Sequence, residues 1–190
     1  MVLGLVMTIS SFAQSTWVID NIHSKVKFSV SHLVISEVEG DFGVYSGTLQ
    51  SSSPDFTDAN IDFSVDVQSI NTGNEMRDRH LKSDDFFNAE RYPKMTFTSV
   101  SWKKTTDQNY LLEGDLTIRD VTKRVSFAVV YGGTVKDGYG NTKAGFKGTA
   151  VINRLDYGLK WNVLTEAGGA TVGKDVTVTL KLEFSQKKSS

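Results

Sequence analysis

The chain has 190 residues, 39% hydrophobic and 23% charged, proportions that suit one soluble globular domain rather than a disordered or membrane chain. Lys and Arg number 21 against 22 Asp and Glu, mixed along the chain, so the electrostatic footprint of nucleic-acid binding is missing. There is no cysteine, which excludes thiol catalysis and disulfide stapling and leaves stability to burial and backbone pairing.

The chain opens with "MVLGLVMTISSFAQS", an apolar run from Val2 to Ile9 followed by small and polar residues. That is the pattern of a secretory signal, too short to span a bilayer. No Lys or Arg precedes the run, as in a signal whose start is incomplete or in an N-terminal strand. We read residues 1–14 as the signal, cut near Ala13 or Gln14, and 15–190 as one exported domain, periplasmic or secreted, without stable membrane insertion.

"HSKVKFSVSH" (23–32) alternates: Val26, Phe28 and Val30 share a face that His32 closes, and Lys25, Lys27, Ser29 and Ser31 share the other. Strand patterns return at 40–50 and in "IDFSVDV", which sets Ile61, Phe63, Val65 and Val67 on one face. "NTGNEMRDRHLKSDDFFNAERYP" (71–93) breaks the rhythm and predicts one short helix near 74–82 before a turn ending at Pro93. Strands follow at 94–103 and 109–118, then a tight "RD" turn, then "RVSFAVVY" with Val125, Phe127, Val129 and Tyr131 on one face. After "KDGYGN" comes a strand at 143–154 and a long connection (155–173) carrying an aromatic cluster. "VTVTLKLEF" closes the series with Val176, Val178, Leu180, Leu182 and Phe184 aligned. Consecutive antiparallel strands in this number form a barrel or a sandwich, and periodicity does not choose between them.

The chemistry-bearing residues are sparse. His23, His32 and His80 are scattered, with His23 and His32 on opposite parities of one strand, so a metal centre is not expected. "RDRHLKSDDFF" (77–87) offers His80 with Asp78 or Asp84 as an acid–base pair of a lipid hydrolase or isomerase. Its simpler reading is a surface helix with a capping network and Phe86 and Phe87 tucked inward. Lys123 and Arg124 could meet an anionic headgroup or protect an edge. Arg154 is expected to pair with Asp156. No glycine-rich phosphate loop opens a helix.

In their order and spacing these stretches resemble the YceI-like family of bacterial exported proteins, also described as polyisoprenoid-binding or lipid-binding. The matching residues are Asp20, His23, Ser24 and Phe28 in "DNIHSKVKF", His32, and Gly40 and Phe42 in "GDF". "RDRHLKSDDFF" follows with Tyr92 and Pro93, then "GDLTIRDVTK", Arg154, Asp156, Tyr157, Gly158 and "VGKDVTV", together covering about 16 to 184. One departure is Asp120, where the family's hairpin usually carries glycine; Asp tolerates the left-handed backbone such a turn wants.

The resemblance implies an all-β, lipocalin-like, elongated eight-stranded antiparallel barrel, with one short helix between the third and fourth strands. Its tunnel would bind a polyisoprenoid, quinone-type or fatty-acid-derived chain without catalysis, with no cofactor beyond the bound lipid, and the protein is expected to form a homodimer. On this reading Val26, Phe28, Val30, Phe63, Val65, Phe127, Val129, Val178 and Leu180 line the tube. Phe86, Phe87 and Trp161 close one mouth, and His32, Arg77 and His80 meet a polar head. The length suits a chain: about ten residues of strand reach roughly 33 Å, and each buried CH₂ is worth about 0.8 kcal/mol before ordering costs.

Overall fold

The computed structural model describes residues 14–163 and 171–188. Its strand segments are β1 (Ser15–Ile19), β2 (Lys25–His32), β3 (Ser36–Phe42), β4 (Tyr45–Ser51), β5 (Asn60–Asp66) and β6 (Ile70–Asn71), followed by the helix α1 (Glu75–Lys82). Then come β7 (Lys94–Lys104), β8 (Asn109–Ile118), β9 (Val121–Lys136), β10 (Thr142–Asn153) and β11 (Val172–Gln186). Every pairing is antiparallel.

β1 and β2 lie end to end along β11, with Trp17 opposite Gln186 and Val26 opposite Leu180. β3 and β4 lie end to end along β2 and β1, and β6 and β5 along β3 and β4. Taking each end-to-end couple as one interrupted strand, eight strands run up and down in chain order and the last returns to the first. This is a closed barrel, and closure removes the exposed edges that an open sheet would have to protect. The eight-stranded architecture and the helix after the third strand agree with the sequence reading; β1 and the interruptions were not foreseen.

The first interruption has a clear cause. Between β1 and β2 the chain leaves the ladder, and the Asp20 carboxylate accepts from the Ile22 and His23 amides at 3.1 and 3.3 Å. Ser24, wholly buried, takes over the ladder with its side chain: its Oγ accepts from the Glu183 amide at 2.9 Å, and its carbonyl accepts from the Tyr45 hydroxyl at 2.6 Å. Lys143 on β10 fastens the bend, its ammonium 2.6 Å from Asp20 and 3.2 Å from Glu183. It holds the Asp20 carboxyl well below the usual carboxylate range. The residues Asp20, His23 and Ser24, which carried much of the resemblance, therefore build a joint in the wall.

Strand ends are fixed by local chemistry. Asn74 caps α1, accepting from the Arg77 amide at 3.0 Å, and Asp78 accepts from the Thr72 amide and hydroxyl at 3.0 and 2.6 Å. At the β8–β9 turn the left-handed residue is Arg119 (φ +56°), not Asp120 as the turn chemistry suggested. The Arg119 guanidinium explains this: it reaches the carbonyls of Phe86 and Gly158 at 3.1 and 3.3 Å, tying the turn to two neighbouring segments.

Candidate functional site

The barrel is hollow because three phenylalanines lie along its wall instead of across it. Phe28 faces Gly40 and Phe63 faces Gly47 in neighbouring strands, and Phe97 covers Gly114. A Cβ on those glycines would meet the phenyl rings at 2.5, 2.5 and 2.2 Å, so no larger residue fits beneath them. Each ring takes the space its glycine leaves, and the axis stays open. The resulting inner chamber has a volume of about 200 Å³. Its wall is apolar: of the polar residues that border it among the described residues, Lys27 and Thr96 turn their side chains to solvent, and Arg154 and Trp102 are buried.

One end is shut. The loop between β4 and β5 folds Phe56 back into the barrel, leaving it 2% exposed. Its ring contacts Trp17, Tyr131 and Phe146 with centroids 5.3, 5.5 and 5.3 Å apart. Trp102 and Tyr110 complete this plug at 5.2 Å from one another, and the Tyr110 hydroxyl donates to the Asp55 carbonyl at 2.7 Å. The loop holds its shape through the Asp55 carboxylate, which the Ser53 and Thr57 hydroxyls bring down to about 2, and through a Ser51–Asp58 contact.

The other end opens. An outer chamber of about 430 Å³ lies between β2, β3, α1 and the segment around Trp161, and shares Phe28, Val30, Leu81, Phe86 and Val172 with the inner one. Together the two fall in the size range usual for small-molecule pockets. His80, Phe86 and Trp161 form a compact group there, the histidine 5.1 and 4.9 Å from the two aromatic rings. Among the described residues, the titratable side chains lining this chamber are His32, Arg77 and His80. Arg77 donates from Nε and Nη2 to Thr72 at 2.8 and 2.9 Å.

Every residue assigned from sequence to the tube or its head lines one chamber or both. Val26, Phe28, Val30, Phe63, Val65, Phe86, Phe87, Phe127, Val129, Val178 and Leu180 border the inner chamber. His32, Arg77, His80 and Trp161 border the outer one. Phe87 lies deeper than expected, against Phe42 at 6.2 Å, so the mouth group is Phe86 and Trp161 with His80. Phe97, Trp102, Phe146 and the plug residue Phe56 were missed. The first three sit on strands with weaker alternation, and nothing in the pattern of "SSSPDFTDAN" announces a residue that turns inward.

Two expected pairings are not formed. His80 meets Asp85 at 2.9 Å; Asp78 is engaged by Thr72, and Asp84 by Asn88 and Arg119. The acid–base couples His80–Asp78 and His80–Asp84 are therefore absent. Arg154, 5% exposed, does not pair with Asp156. It donates to the carbonyls of Leu159, Trp161, Val172 and Gly173, clasping the two sides of the long connection. The connection offers carbonyls converging on one buried point, and these acceptors satisfy the donors of a planar guanidinium more fully than the single Asp156 carboxylate would. Lys123 is exposed, and Arg124 pairs with Asp115 across the β8–β9 ladder at 2.8 Å.

Asp20, His23 and Glu183 bring three candidate metal-ligand atoms within 4.8 Å of one another, but the Lys143 ammonium already supplies the positive charge there. Among the described residues, no helix is long and apolar enough to cross a membrane. The expected signal lies almost wholly outside the described residues, which begin at Gln14.

Comparison with known proteins places this architecture. The family model described as the YceI-like domain matches residues 17–184. The UPF0312 protein SA2479 of Staphylococcus aureus is 36% identical over 167 residues, covering 87% of this chain and 95% of its own. The crystal structure of the Campylobacter jejuni YCEI protein superposes with a TM-score of 0.71 at 32% identity, over 83% of this chain and 90% of that one. A polyisoprenoid binding domain from Saccharophagus degradans, implicated in plant cell wall breakdown, shares the fold with a TM-score of 0.66 at 18% identity, over 93% and 100%.

Proposed function

The chain belongs to the YceI-like family, and from that premise we propose that it carries a single long-chain lipid, tail inward, in the barrel tunnel and performs no chemistry on it. The observation that carries this reading is the shape of the hollow: apolar walls, an aromatic floor, and a mouth whose titratable lining among the described residues is His32, Arg77 and His80. A hydrocarbon chain gains about 0.8 kcal/mol per buried CH₂ along such a wall. The cationic side of the mouth favours an anionic or hydrogen-bonding head over a purely hydrocarbon end. The polyisoprenoid-binding neighbour supports a prenyl chain as the cargo class. The apolar run at Val2–Ile9 supports export, so the cargo would be held outside the cytoplasm.

Solvent extraction of the purified protein followed by mass spectrometry tests the reading. A prenyl or acyl lipid near one per chain supports carriage. Chemical turnover of that lipid, lost in His80→Ala, would replace the carrier by an enzyme built on the His80–Asp85 contact.

A further inference from the structure

The turn joining β2 to β3 consists of Leu33, Val34 and Ile35, exposed to 38%, 76% and 86%. Leu33 and Val34 both occupy the left-handed region, at φ +52° and +65°. Hairpin turns that need such backbone ordinarily use Gly, Asn or Asp, and a β-branched residue there is strained. Neither backbone preference nor solubility accounts for this tripeptide. Its position does. His32 and Val38, on the two strands it joins, line the outer chamber. The Leu33 amide donates to the Thr171 carbonyl at 2.9 Å and the Thr171 amide to the Val163 carbonyl at 3.0 Å, linking the turn to the start of β11 and to the segment after Trp161. Met76 on α1, 73% exposed, lines the same chamber, and Val163 is 53% exposed.

We propose that this turn is a membrane-docking finger: it inserts into the interfacial layer of a phospholipid bilayer and brings the tunnel mouth against the acyl chains. The proposal rests on the carrier reading, since a lipid passing between bilayer and tunnel would otherwise cross water. The geometry favours a bilayer over a second copy of the chain. A projecting turn of three side chains offers roughly a few hundred Å², against about 800 Å² per partner in a stable protein interface. Exposed charges on the surrounding elements include both signs, Glu37, Glu75 and Asp175 as well as Arg79, Lys160 and Lys174. Apolar insertion therefore dominates over attraction to anionic lipid, and docking persists in salt and on neutral membranes.

The test is co-sedimentation of the full chain with phosphatidylcholine vesicles, comparing the wild type with a Leu33→Asn, Val34→Gly, Ile35→Ser triple variant. Losing three apolar side chains should lower partitioning at least about tenfold. The melting temperature should hold or rise, because Asn and Gly suit the left-handed backbone, and lipid extracted from the tunnel should stay at the wild-type amount. Equal partitioning of both proteins overturns the proposal, as does a wild type that ignores vesicles. A wild-type dimer that the substitutions dissociate also overturns it, assigning the turn to self-association. Absence of extracted lipid from both proteins, with vesicle binding intact, counts against the tunnel cargo alone.

Discussion

The Phe63 ring lies over Gly47 of the adjacent strand so closely that a Cβ at Gly47 would fall 2.5 Å from the ring. That contact decides whether the phenyl occupies wall or bore. Gly47→Ala should drive Phe63 inward, cost about 1–3 kcal/mol of stability, and weaken binding of a solvatochromic apolar chain. Adding Phe63→Leu should recover part of both losses, because the two sites are coupled by contact. Fluorescence titration and thermal melts of the four proteins in that cycle check it; additive effects would show that the ring does not depend on the glycine.

Arg154 holds the long connection by donating to carbonyls on either side of it. Arg154→Met leaves those carbonyls without their donor and should destabilise the fold by about 3 kcal/mol or more. Arg154→Lys should rescue little, since one ammonium cannot reproduce the planar fork. Denaturant unfolding measures the first effect. Hydrogen exchange at the amides of Val172 and Gly173, rising in both variants, locates it.

Asp20 ordinarily titrates near 3.8, and in the fold Lys143, then His23, hold its carboxyl well below that. A carboxyl depressed in the folded state contributes stability above its unfolded pKa, and that contribution fades as pH falls below about 4 toward the folded value. Lys143→Met should therefore cost about 1.5–3 kcal/mol at neutral pH, with the gap to wild type narrowing below pH about 4. Unfolding curves across that range check the sign; a constant gap would mean that Lys143 acts through its methylenes.

Much of this molecule is legible in its sequence. Val26, Phe28 and Val30 alternate with solvent-facing lysines, and a period of two assigns such residues to the inside without knowledge of the partner strand. Alternation does not report whether inward side chains meet across the axis. That depends on which residue lies opposite each phenylalanine, and the pairing of Phe28 with Gly40 or Phe63 with Gly47 is a matter of register. The same limit hid the plug, because Phe56 enters from a loop with left-handed backbone (φ +59°). It also misdirected Arg154, whose partners are carbonyls that the chain brings together only on folding.

At the mouth, Arg77 should discriminate between heads. Its Nε and Nη2 are bound to Thr72, and the guanidinium borders the outer chamber. Arg77→Met should weaken a phosphate-headed prenyl chain about tenfold or more and a prenyl alcohol of the same length far less. Competition against the same solvatochromic probe measures both. Equal losses would place the head elsewhere.

The most direct measurement is the loading stoichiometry of a prenyl-chain lipid, read by native mass spectrometry, in the wild type and in a variant whose bore is filled by Val129→Trp. Val129 lines the inner chamber and is 5% exposed, so the indole has nowhere to go but the cavity. One chain per wild-type barrel, with little or none in a folded Val129→Trp protein, is the predicted result. Equal loading of the two would mean that the lipid binds outside the barrel, and the account of a hollow built for a tail would be wrong.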